Sequence, residues 1–361
     1  MNASVPRLSA SWCLAALALS GCGVVLGPQP SEPSNLVSPF STTSSASPTS
    51  SPTPTRETSP RLPEAHRLRG TTVSVMGAPA ALLVADGSIW AMSHRDTTLY
   101  RIEPRTLRVL AAIDTGVLGC GDLATVSGAV YVTGCGTAPY LVRVDTDTNS
   151  VTATTSYAVG HGGVAQGVLW APLESASLGL VPIDPVTLDH GRGIPLPENA
   201  MIAGVVHAGA FLWAGDENNR VVYQIDPVRR KVLAAIPLPS EIRRGYLIKH
   251  DGAPWVVDHE AEGALVRIDP EAGTAHLLET KLRLPSAYWG IAASSASRPG
   301  QLWARSGDNQ VWLVDTRKDR VARIIEITPG GSGGDVQEHK GVLWVSAFGD
   351  DVIHRIPLPP G

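Results

Sequence analysis

The sequence predicts an all-β fold of seven repeated four-stranded units, and three observations carry that prediction. An aromatic residue recurs about every 42 residues, just after a Gly turn: Trp90, Tyr131, Trp170, Trp213, Trp255, Trp303, Trp344. An aliphatic residue follows on a second, in-phase clock: Ile102, Val144, Ile183, Ile225, Ile268, Val314, Ile356. In six copies an acid comes next, usually before Pro or Thr: Glu103-Pro104, Asp145-Thr146, Asp184-Pro185, Asp226-Pro227, Asp269-Pro270, Asp315-Thr316. Short β-type runs with a period of about 40 to 50 residues mark propeller blades, so the expectation is a seven-bladed β-propeller of antiparallel blades.

The fourth repeat shows how each element is read. Val205 and Val206 open a strand, His207-Ala208-Gly209 turns it, and Ala210 to Ala214 carries Trp213. Val221 to Ile225 is a third strand, Asp226 to Arg230 a turn, and Lys231 to Ile236 a fourth. The turn acids have a local cause: a carboxylate accepts backbone hydrogen bonds and Pro presets φ for the first turn position. The aromatics are expected where adjacent blades pack. After Ile356 the last blade lacks a strand, and Thr71 to Val75 is expected to supply it, which removes an open sheet edge.

Three segments follow. Residues 1–21 read as a signal peptide, with Arg7 in a positive n-region and Ser11 to Leu19 as a short apolar run. Leu19-Ser20-Gly21-Cys22 resembles the bacterial lipobox, which implies a diacylglyceryl anchor on Cys22 and a protein lipid-anchored at the extracytoplasmic face of the cell membrane. Residues 22–66 contain a Ser/Thr/Pro tract with too little apolar surface to fold, and read as a disordered tether. The propeller is placed at residues 67–361. With 43% hydrophobic residues, 17% charged and a net charge of −4, the chain can bury a large core and has no electrostatic reason to bind nucleic acid. It is expected to be a monomer, without a cofactor or a resident metal.

Cys13 leaves with the signal peptide and Cys22 is taken by lipid. Cys120 and Cys135 remain, at the same edge of one hairpin, and are expected to form a disulfide in an exported protein.

The aliphatic-Asp-Pro turn after an aromatic-bearing strand resembles the YVTN-type and virginiamycin B lyase-like seven-bladed propellers, from about Arg69 to Pro357. For the lyases the resemblance implies a His twelve residues before a blade aromatic and a Glu three after it. No blade supplies that pair: the carboxylates at the later position, Asp216 and Asp258, are matched with Met201 and Arg243. Arg243 stays protonated and cannot serve as a base. Lyase chemistry is therefore not expected, although a lyase- or lactonase-like enzyme remains an alternative reading.

The same resemblance directs attention to the end where first strands begin and second strands finish. Loops there bring His161, Asp216, Arg243, Asp258, His259, Glu260, Tyr288, Trp289 and Asp335 to a polar channel mouth. Asp258-His259-Glu260 is the densest cluster, read either as a metal or acid-base site or as a solvated loop with Asp258 pairing Arg243. Tyr288 and Trp289 are read either as a ligand lip or as interblade packing. The leading functional expectation is a rigid platform for a protein, peptide or glycan ligand; a structural spacer in an envelope complex is the other alternative.

Overall fold

The computed structural model describes residues 62–119, 122–134, 140–173, 179–242, 245–258, 264–278, 292–306, 309–328 and 333–359, and these contain strands and turns but no helix. Two short strands come first, β1 (Ala65–Arg67) and β2 (Thr71–Ser74). Blade one follows as β3 (Pro79–Ala85), β4 (Ser88–Ser93), β5 (Thr98–Ile102) and β6 (Val109–Asp114). Blade two is β7 (Leu123–Val126), β8 (Ala129–Thr133), β9 (Leu141–Asp145) and β10 (Ser150–Thr154). Blade three has β11 (Gly163–Ala165), β12 (Val168–Pro172) and β13 (Leu180–Ile183). Blade four is β14 (Ile202–Ala208), β15 (Phe211–Asp216), β16 (Val221–Asp226) and β17 (Lys231–Pro237). Blade five is β18 (Gly245–His250), β19 (Ala253–Asp258), β20 (Leu265–Asp269) and β21 (Thr274–Leu277). Blade six is β22 (Ala292–Ser294), β23 (Gln301–Ser306), β24 (Gln310–Asp315) and β25 (Arg320–Glu326). Blade seven is β26 (Val336–His339), β27 (Val342–Ala347) and β28 (Val352–Pro357), with β2 antiparallel to β28 as its outer strand.

Both residue clocks keep time in space. The seven aromatics lie on the second strands, none more than 5% exposed, and the seven aliphatics lie on the third strands, none more than 2% exposed. Each aromatic joins one of seven separate core clusters, and each cluster spans two neighbouring blades. Trp90 packs with Val130 and Val142 of blade two, Trp213 with Val256 and Val266 of blade five, and Trp255 with Leu302 and Trp312 of blade six. Trp344 of blade seven packs with Leu82 and Ile89 of blade one, so the ring closes through the same kind of contact that builds it.

The turns explain the local sequence. Asp86-Gly87, Ser127-Gly128, Gln166-Gly167, Asp251-Gly252 and Lys340-Gly341 each have positive φ at both residues, the signature of two-residue hairpins whose twist matches the strands. Between third and fourth strands, all six acids accept from the amides two and three residues on, as Asp226 does from Val228 and Arg229. The residue four beyond each acid is left-handed; only blade five spends a glycine there, Gly273, whereas Leu107 and Leu188 offset the strain by packing into the core.

The residue after the acid has a second use. Its carbonyl accepts a side-chain donor from the preceding blade: Arg101 to Thr146, Tyr131 to Pro185, Gln224 to Pro270 and Arg355 to Pro104. The last of these joins blade seven to blade one. A turn that needs a capped carboxylate and a free carbonyl, but no amide at the next position, accommodates proline at no cost.

Two departures from the expected regularity matter. Blade three has no regular fourth strand: only isolated bridges link Leu180 to Ile194 and Ile183 to His190, because Gly191, Gly193, Pro195 and Pro197 deprive that edge of side chains and amide donors. Blade six has an extra strand. β1, starting two residues before the propeller boundary drawn at 67, pairs in parallel with β25, and Arg67 forms a two-pronged ion pair with Glu326.

Candidate functional site

The seven first strands surround an axial cavity of about 550 Å³, and every blade contributes to its wall. Asp122, Tyr246 and Asp335 line it, and His161 joins them through Asp122. His161 Nδ1 lies 3.2 Å from Asp122 Oδ2, and the Tyr246 hydroxyl donates to Asp122 Oδ1. The His161 and Tyr246 rings meet edge to face with centroids 5.9 Å apart. Asp335, 3% exposed, faces the same cavity from blade seven and accepts from the amides of Leu82, at 2.8 Å, and Val336, at 2.6 Å.

Register explains the convergence. Asp122, His161, Tyr246 and Asp335 each stand two residues before the first-strand position that pairs with the blade aromatic: Ala124 with Tyr131, Gly163 with Trp170, Ile248 with Trp255, Gln337 with Trp344. Ala81 and Gly204 hold this position in blades one and four. The layer is thus polar in four blades and small in two, which leaves room at the axis. Two of the acids are also pinned alike. The Asp122 amide donates to Thr133 Oγ1 at 2.7 Å and the Asp335 amide to Ser346 Oγ at 2.6 Å, both hydroxyls coming two residues after the blade aromatic.

The electrostatics follow from this packing. Burial pushes the Asp335 carboxyl up to about 7, against the pull of the Leu82 and Val336 amides and with help from the charge of Asp122. Burial and Asp122 together hold the Tyr246 phenol well above its ordinary value, so it remains a donor. For His161, burial opposes the charged ring, but the hydrogen bond and charge of Asp122, joined by Glu217, outweigh it and raise the pKa. An ionised carboxylate only accepts, so His161 carries a proton on Nδ1, and Nε2 is the atom left to meet a ligand.

The residues singled out from the sequence have different fates. His161 and Asp335 are in the cluster. Asp216, 1% exposed, holds its own loop: it accepts from the amides of Met201 and Asn219, from Asn219 Nδ2 and from the Tyr223 hydroxyl. Asp258 is buried at the end of β19, paired in register with Gly245. Arg243, His259, Glu260, Tyr288, Trp289, Cys22, Cys120 and Cys135 lie outside the described residues. Asp122 and Tyr246 were missed, although the spacing of nine residues before Tyr131 and Trp255 would have found both. Among the described residues no group of three or more His, Cys, Asp or Glu side chains could hold a metal ion.

No family model matches the chain, and no curated protein matches it. Solved structures do. Virginiamycin B lyase from Staphylococcus aureus superposes with a TM-score of 0.63 at 16% identity, covering 81% of this chain and 100% of its own. Kuenenia stuttgartiensis hydrazine synthase gives 0.67 at 12% identity, over 82% and 100%. The propeller domain of Cps50 (Swd1) from Myceliophteria thermophila gives 0.63 at 12%, over 80% and 100%. The likeness is one of fold. Proteins so different in their names share this scaffold that what this chain does must be argued from its own channel mouth.

Proposed function

We propose that this protein is an exported lipoprotein, held at the extracytoplasmic face of the cell membrane through Cys22, whose propeller is a rigid platform that binds a ligand at the channel mouth. One observation carries the binding part: Asp122, Tyr246 and Asp335, from three separate blades, face one cavity, and His161 from a fourth blade pairs with Asp122 beside it. A rigid ring lets side chains far apart in sequence be held without moving parts, and the pinned amides of Asp122 and Asp335 fix them further. Anchoring rests on the Leu19-Ser20-Gly21-Cys22 run and on the Ser/Thr/Pro tract that separates it from the ring.

Each half has its own test. Changing Cys22 to Ser should move the protein from the membrane to the soluble fraction; unchanged retention means that the lipobox reading is wrong. For binding, a thermal-shift screen of small cations, sugars and short peptides is run on the wild type and on Asp122→Asn. Ligands that stabilise the first but not the second place binding at the channel mouth, and ligands that stabilise both equally place it elsewhere.

The Asp122 and His161 pair favours a second reading, an enzyme in which His161 moves a proton while Asp122 orients it. Turnover of a bound ligand that is lost in His161→Gln would select it.

A further inference from the structure

A second cavity, of about 360 Å³, lies between blades three and four at the end where the polar cluster sits, and His161 is part of its wall. It exists because blade three has no regular outer strand. After Ile194 the chain, freed from the ladder by Pro195 and Pro197, folds over the end of the blade and becomes a rim. Blade four holds that rim in place. The Met201 amide donates to Asp216 Oδ1 at 3.1 Å, the Glu217 amide to Met201 O at 3.0 Å, and Asn218 Nδ2 to Asn199 O at 2.9 Å; Asn199 and Asn219 bond through their side chains. Asp216, the buried acid with no place in the channel cluster, thus keeps this pocket open.

The lining has two characters. Pro172, Leu173, Leu196, Pro197, Met201 and Ile202 make most of the wall apolar, and Met201 is 43% exposed, a large apolar side chain that the fold leaves partly uncovered. The polar part is His161 at one side and Glu198 on the exposed rim. In the neutral ring Nδ1–H donates to Asp122 and Nε2 is an acceptor facing the pocket. Asp122 and Glu217 favour the charged ring, in which Nε2 is a donor, so an amine should bind more weakly as pH falls. No Lys or Arg is among the described residues of the wall. An anion entering here would lose water beside Glu198, Glu217 and Asp122; a cation would gain by the same field.

We propose that this pocket binds a small molecule with an apolar body and one ammonium group, the body against Leu173, Leu196 and Met201 and the ammonium toward Glu198 and His161 Nε2. The proposal deepens the channel-mouth reading and rests on it, because His161 of this pocket is paired with Asp122 of the axial cavity. The volume suits a compact ligand, and a rim held by backbone and side-chain bonds needs little ordering when the ligand enters.

Three probes of one shape test it by calorimetry on the purified full chain at pH 8: 4-phenylbutylamine, 4-phenylbutan-1-ol and 4-phenylbutanoate. The amine should bind at least about fivefold more tightly than the carboxylate, with the alcohol between them. Glu198→Gln should weaken the amine by about two- to fivefold, as expected for an exposed charge, and leave the alcohol unchanged. Met201→Ser, a change at an exposed side chain, should weaken amine and alcohol together. Failure of the amine to bind, a carboxylate that binds as tightly, or binding indifferent to both substitutions overturns the proposal. The two readings separate with Asp122→Asn. Amine binding lost there but unaffected by Met201→Ser puts the ligand in the channel, which overturns the pocket and leaves the channel-mouth reading intact.

Discussion

Asp335→Asn should change the stability of this protein in opposite directions at low and high pH. In the unfolded chain the carboxyl ionises near 3.8, whereas in the fold it does so only at about 7. Between those values the unfolded state loses its proton first, so wild-type stability falls as pH rises, and above about 7 the whole cost is present. A shift of that size corresponds to about 4 kcal/mol, since each unit is worth about 1.4 kcal/mol. The amide removes the charge but has only one oxygen for two donors, the amides of Leu82 and Val336, and its NH2 faces the other. That conflict costs about 1 to 3 kcal/mol. At pH 8 the variant should therefore be more stable by about 1 to 3 kcal/mol, and at pH 3.5, where the wild-type carboxyl is mostly protonated in both states and little of the cost is present, less stable by about 1 to 3 kcal/mol. For a domain of this size about 1 kcal/mol is about 2 °C in Tm. Denaturant melts of both proteins at pH 3.5 and pH 8 measure the difference directly, and titrating groups that do not interact with Asp335 cancel in the comparison. A difference that is the same at both pH values would refute the burial argument. A crossover would mean that the ring carries an acid at its axis at a cost in stability, as sites under functional selection do.

Other outcomes follow from the packing. Glu338 is 8% exposed and accepts from the Ser295 hydroxyl at 2.6 Å, the Ser297 amide at 3.0 Å and the Trp303 indole at 2.6 Å, so it sutures blade seven to blade six. Burial works against its ionisation, but these donors prevail and lower its pKa, so the stability it gives is present above the unfolded value near 4.5 and lost as pH falls through the folded one. Glu338→Gln should cost about 3 kcal/mol at pH 7 and much less at pH 3, while Glu326→Gln, in the exposed pair with Arg67, should leave stability nearly unchanged at either; equal costs at pH 7 would contradict this assignment. Truncation through Val75 uncovers β28 and removes Val73 and Val75, 7% and 2% exposed, and should lower Tm by about 6 to 12 °C, whereas deleting residues 28–58 should leave Tm within about 1 °C. Incubation with a streptogramin B and Mg²⁺ should give no ring opening; turnover lost in Asp258→Asn would show that a carboxylate outside the channel cluster is catalytic.

The architecture was legible because it is periodic. Each blade repeats the same demands, an aromatic to fill the gap to its neighbour and an aliphatic behind it, and six of the seven add an acid to cap the next turn. Seven copies turn weak local signals into one strong one. What broke the period was harder to read. The missing outer strand of blade three is written in Gly191, Gly193, Pro195 and Pro197, yet nothing in those residues says that the freed chain will fold into a pocket rim. The extra strand of blade six depends on Ala65–Arg67, a three-residue strand too short to carry a pattern of its own.

The site was half legible, and the reason lies in geometry. Charged residues in irregular segments stand out in a sequence whatever their role, and Asp216 among them is a brace. The polar layer at the axis instead sits at one fixed step before each blade aromatic, on or beside the first strand, where a lone Asp122 or Tyr246 looks unremarked beside its apolar neighbours. Only when the seven blades are set in a common register do Asp122, His161, Tyr246 and Asp335 fall into a single layer, with Ala81 and Gly204 clearing space between them. In a closed ring the residues that meet are those at the same step of different repeats, since the symmetry that carries each first strand to the next carries every equivalent position to the axis. A polar residue at such a step in one blade is a local accident. The same step polar in four blades, with hydroxyls from Thr133 and Ser346 holding two of them, is what a built binding site requires.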